Sequence, residues 1–170
     1  MTTTEIQLVV SVATILCSGV ISAIVAHKLS SGRAEREFNR KKLEELYIAV
    51  HRYCAKLFTA NMVWSEVMRG KIDYNQGLEL FIKSHGEKDE SQQTAMMIIN
   101  IYFPQLRPSF DVILQQRDRI NGIHSDFKAA YLRGEPCGSF VQPFLQELKG
   151  IDDGEKKLME ELFRISKSLK

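Results

Sequence analysis

Leu43–Arg69 reads LEELYIAVHRYCAKLFTANMVWSEVMR, a run with neither glycine nor proline. One heptad position gives Leu43, Val50, Leu57 and Trp64, and its partner gives Leu46, Tyr53, Ala60 and Val67. Apolar residues three and four apart share one side of an α-helix, so the run predicts a long helix with a bundle or coiled-coil seam. Tyr47, Ile48, Cys54, Phe58, Met62, Val63 and Met68 widen the stripe, which predicts more than one neighbouring helix. Gly70 is the expected stop.

Upstream, residues 28 to 42 carry six basic side chains (Lys28, Arg33, Arg36, Arg40, Lys41 and Lys42) and two acidic ones, a net of +4. The whole chain carries only +2, which leaves −2 for the rest. A basic segment of this kind fits a topology signal beside a membrane and contacts to anionic lipid headgroups. Ser30-Ser31-Gly32 is the expected joint between this segment and what precedes it.

Further upstream, residues 6 to 26 hold no formal charge, and eleven of the 21 are Ile, Leu or Val. As a helix the segment is about 31 Å long, the thickness of a bilayer core. The slightly acidic start, Met1-Thr-Thr-Thr-Glu5, lacks the basic region of a secretory signal, and Ile24 spoils a small-x-small cleavage site before His27. The segment therefore predicts a single transmembrane helix. No Lys or Arg precedes it, so the amino terminus is expected outside a cell (inner) membrane and the remainder in the cytoplasm. Ser11, Thr14, Ser18, Gly19, Ser22, Ala23 and Ala26 give the span a small, weakly polar face. Small residues let helix backbones approach, so the face predicts a homo-oligomer or pairing with another membrane protein.

Downstream the pattern stays helical. Asp73 is the expected cap of a short helix through Leu78, Leu80, Phe81 and Ile82, closed by Gly86. Ala95–Phe103 is nearly all apolar and reads as a buried helix stopped by Pro104. Pro108 opens a helix to about Arg133 along Phe110, Ile113, Leu114, Ile120, Ile123, Phe127, Ala130 and Tyr131, with Gly134 closing it. Ser139 and Gln142 suggest a capping box for a last helix along Phe144, Leu148, Ile151, Leu158, Leu162, Ile165 and Leu169. Gly150 and Gly154 are expected to break or bend it. No stretch shows the period-two alternation of a strand. The predicted fold is all-α: an anchor over residues 1–27, a basic juxtamembrane segment over 28–42 and a cytoplasmic helical bundle over 43–170.

Composition narrows the functional classes. The chain has 170 residues, 44% hydrophobic and 26% charged, with three cysteines. That is neither a disordered chain nor a disulfide scaffold. Cys54 and Cys137 are expected as free thiols. Nucleotide-binding glycine motifs and zinc or di-metal signatures are lacking, so no cofactor and no metal are predicted. His51-Arg-Tyr-Cys54 places an imidazole and a thiol one turn apart, but Cys137 and His85 lie in other segments without ligand spacing. Arg119-Ile-Asn-Gly-Ile-His124 is Arg-x4-His, and Arg117 gives Arg-x6-His to the same histidine. This resembles the short motif of the HEPN ribonucleases, which are helical bundles. The resemblance implies that His124 and an arginine act on an RNA 2′-hydroxyl and phosphate, usually in a dimer. The competing reading is an exposed arginine and a half-buried histidine on one helix. The main functional expectation is a membrane-anchored helical interaction protein, an oligomeric scaffold, sensor or regulatory partner with no catalytic activity of its own and no nucleic acid as a partner. The alternative is a membrane-tethered ribonuclease using Arg117 or Arg119 with His124.

Overall fold

The computed structural model describes the backbone of residues 3–85 and 89–169, and the side chains of residues 30–83 and 89–169. Among the described residues five α-helices run in chain order: α1 (Thr3–Met68), α2 (Tyr74–His85), α3 (Ser91–Tyr102), α4 (Arg107–Leu132) and α5 (Val141–Ser168). Short 3-10 turns, Pro104–Leu106 and Gly138–Phe140, lead into α4 and α5. The protein is all-helical, with no strand among the described residues. It divides into two compact units, Met1–Lys41 and Lys42–Lys170.

In the first unit the backbone is helical throughout Ser30-Ser31-Gly32, so these residues are not a joint. Serine and glycine lower helix propensity by about 1 kcal/mol or less and do not forbid a helix. Arg36 Nε donates to the Gly32 carbonyl at 3.1 Å. The expected span, residues 6–26, and its packing face from Ser11 to Ala26 lie outside the residues whose side chains are described, as does Lys28. No helix among the described residues is long and apolar enough to cross a membrane.

In the second unit α1 buries the expected stripe. Leu43, Leu46, Val50, Tyr53, Ala60, Trp64 and Val67 are all buried, and Leu57 packs against them. Cys54 and Met68 join the core, whereas Tyr47, Ile48 and Phe58 are exposed. The heptad seam is thus consumed within the chain and is not a coiled-coil surface.

Local chemistry explains the helix ends. Gly70 has φ 70° and Gly134 φ 71°, a left-handed conformation that favours glycine. Gly70 and Lys71 donate to the Val67 and Glu66 carbonyls at 2.9 and 3.0 Å, a Schellman closure. Gly134 and Glu135 repeat it on Tyr131 and Ala130 at 3.0 and 3.1 Å. Asp73 caps α2 as expected: the Gln76 amide donates to its Oδ1 at 2.9 Å, and Gln76 Oε1 accepts from the Asp73 amide at 3.0 Å. The expected capping box at Ser139 and Gln142 does not form. The 3-10 turn takes its place, with the Phe140 amide donating to the Cys137 carbonyl at 3.2 Å.

Nor do Gly150 and Gly154 break α5, which is continuous from Val141 to Ser168. They let α4 approach. A Cβ on Gly150 would lie 2.8 Å from Gln116 Cδ, and one on Gly154 would lie 3.1 Å from Ile113 Cγ1. Ser109, buried on α4, fixes the same pair of helices by donating to the Glu161 carboxylate at 2.8 Å. Gly77 plays this part between α2 and α1, where a Cβ would stand 2.3 Å from Val67 Cγ2.

Two glycine-to-alanine changes therefore have opposite signs. Gly77→Ala forces buried, β-branched Val67 to move, and overpacking of about 1–3 kcal/mol outweighs the gain in helix propensity. Gly122 on α4 has open space around its missing Cβ. Gly122→Ala is expected to stabilise by about 0.5–1 kcal/mol. Denaturant unfolding of the two variants, followed by circular dichroism, reads both signs.

Candidate functional site

A largely apolar groove lies between α1 and α5 in the second unit. Ala55, Phe58 and Met62 of α1 face Leu145, Leu148 and Ile151 of α5. His51, Lys149, Asp152 and Glu155 sit at its polar part, and the open cleft measures about 630 Å³. His51 pairs with Glu155 while Met62 lines the same cleft as Leu145, so the helices run antiparallel here. The walls from His51 to Met62 extend about 16 Å.

His51 Nδ1 lies 2.8 Å from Glu155 Oε1. Cys54, buried below, lies near the same carboxylate. Burial pushes the thiol well above its ordinary range, and the neighbouring Glu155 charge adds to the rise. A nucleophilic cysteine needs the opposite environment, a nearby cation that favours the thiolate. The imidazole is held by the carboxylate, and the buried thiol stays protonated. No group of three or more metal-ligating side chains that could hold an ion occurs among the described residues. A second concavity, about 810 Å³, lies between α1 and the start of α3, where Arg52 and Lys56 meet Asp89 and Glu90.

The Arg-x4-His residues take separate partners. Arg117 Nη2 pairs with Asp118 Oδ1 at 2.6 Å, and its Nη1 donates to the Tyr53 hydroxyl at 3.4 Å. Arg119 Nη1 reaches Glu147 on α5 at 3.7 Å. His124 turns into an aromatic cluster, with its ring centroid 4.3 Å from that of Trp64 and 6.1 Å from that of Phe127. Its Nε2 is buried and has no hydrogen-bond partner. Tyr74 and Phe81 of α2 complete the cluster, at 5.3 and 5.5 Å from Trp64. The two arginines and the histidine are not gathered around one open site. Among the basic residues of 33–42, Lys42 pairs with Glu45 at 2.6 Å and its Nζ stands 5.9 Å from the Tyr102 ring centroid.

Sequence reasoning missed Glu155 as the partner of His51. The two are 104 positions apart, and no local spacing rule joins them. Comparison with protein-family models, with curated proteins and with solved structures finds no match for this chain.

His124 gives the unit a pH dependence. Burial, and secondarily the charge of Lys128, lowers its pKa below the ordinary 6.5. The unfolded chain then binds the proton more readily than the folded one, so stability falls as pH drops from about 6.5 through the depressed folded value. His124→Phe keeps the ring packing and removes the titration. The wild-type stability minus that of the variant is expected to be flat above about pH 6.5 and to decline below it. A difference that is constant from pH 8 to pH 5 contradicts this.

Proposed function

We propose that the protein is a single-pass membrane-anchored helical interaction protein that self-associates as a scaffold or regulatory partner. The observation that carries this reading is the uncharged segment 6–26 followed directly by the six basic residues of 28–42. On an insertion scale the eleven Ile, Leu and Val side chains supply about −3 to −7 kcal/mol. The charge asymmetry sets the amino terminus outside and the bundle in the cytoplasm. The small face from Ser11 to Ala26 gives the span a surface for a second helix. No specific observation favours the ribonuclease reading, since Arg117, Arg119 and His124 are each engaged apart.

Alkaline carbonate extraction tests the anchor. The full chain stays with the membrane pellet, and Ile15→Arg with Val20→Arg releases it, because each central arginine costs about 2.5–3.5 kcal/mol. In intact cells an impermeant maleimide labels a Thr3→Cys variant but spares Cys54 and Cys137. A wild-type chain found in the soluble fraction, or a Thr3→Cys label seen only after lysis, sinks the reading. Ser18→Leu with Ser22→Leu is expected to weaken cross-linked oligomers.

A further inference from the structure

α2 is attached to the second unit mainly by rings. Of its described residues only Gly77 is buried, while Tyr74 and Phe81 are half-buried and pack against the core. Leu78, Leu80 and Ile82 are exposed. Its described hydrogen bonds from side chains stay at its own start, between Asp73 and Gln76. Tyr74 and Phe81 lie on Trp64 of α1, and Tyr74 also meets Phe127 and Tyr131 of α4 at 6.2 and 5.1 Å. Since Gly70 and Lys71 complete the closure of α1 before α2 begins, α2 is free to lift without unwinding α1.

His124 belongs to the same cluster. Its ring centroid is 4.3 Å from that of Trp64, and its buried Nε2 has no hydrogen-bond partner. A charged imidazole needs an acceptor at both nitrogens. A cation on an aromatic ring gains about 0.5–2 kcal/mol. A buried charged donor left unpaired costs more than the roughly 1–3 kcal/mol of a neutral one, so the neutral ring wins while the cluster is closed. The elements packed here supply nothing to offset that cost. α1 brings Trp64, which does not titrate. α2 brings Tyr74, whose hydroxyl is kept protonated by burial, and its charged Glu79 and Lys83 are exposed. α4 brings Tyr131 and Lys128, and the Lys128 charge opposes a second positive one. Among the described residues no carboxylate acts on the ring.

We infer that α2 is an acid-released cover: protonation of His124 favours a state in which α2 has lifted from Trp64 and water reaches the imidazole. The open state binds the proton more readily than the closed one. Its population therefore rises as pH falls from about 6.5 and levels off below the closed-state value. Each pKa unit between the two states raises the open fraction about tenfold. Opening uncovers the aromatic surface of Trp64 and Phe127 while α4 and α5 stay joined through Ser109 and Glu161.

Hydrogen exchange of the full chain in detergent, followed by mass spectrometry from pH 8 to pH 5 and corrected for the intrinsic pH dependence of exchange, tests the cover. Protection of the α2 amides is expected to fall by about threefold or more on acidification. It stays below that of α5 throughout, as a separate opening requires. His124→Phe keeps the ring packing and abolishes the pH response. Phe81→Ala loosens α2 at neutral pH and, by linkage, raises the His124 pKa toward the ordinary 6.5, read from its imidazole proton resonances. Protection of α2 that does not change with pH in the wild type overturns the inference. So does an equal response in His124→Phe, or a His124 titration that Phe81→Ala leaves in place. α2 and α5 falling together to one protection level shows unfolding of the whole bundle and overturns it as well.

Discussion

Burial of the α1 stripe from Leu43 to Val67 is the constraint on which the rest of the second unit depends. Leu46 and Val50 have no exposed surface, and Trp64 retains only 2%. Trp64 alone gathers α2 and α4 through Tyr74, Phe81 and His124. A helix cannot offer one stripe both to its own chain and to another. Once the seam is buried inside, a partner must use what the bundle leaves outside, such as the groove between α1 and α5. The same burial places Cys54 under the groove as a protonated thiol and fixes His51 to reach Glu155.

A second constraint is the distance between α4 and α5. In isolation Gly150 and Gly154 weaken a helix by about 1 kcal/mol each relative to alanine. They persist within a continuous helix because the close approach they permit buries Ile113 and Ile151 fully and brings Ser109 to Glu161. Tertiary contact overrides local propensity at these two positions. The same residue type acts conversely at Gly70 and Gly134, where backbone conformation alone decides and the helices do end.

This contrast explains what was legible in the sequence. Helix existence, the buried stripe of α1 and the stops at Gly70, Pro104 and Gly134 follow from rules acting within a few residues. The side of a helix that stays outside depends on how many neighbours it meets. Ala95–Phe103 reads as wholly buried, yet Met97 and Ile101 face outward because the second unit packs α3 on one side only. The His51–Glu155 pair depends on the antiparallel pairing of α1 and α5, which no local spacing encodes. The Arg-x4-His spacing is equally blind to its surroundings. It cannot tell that Trp64 covers His124 while Arg119 points to Glu147.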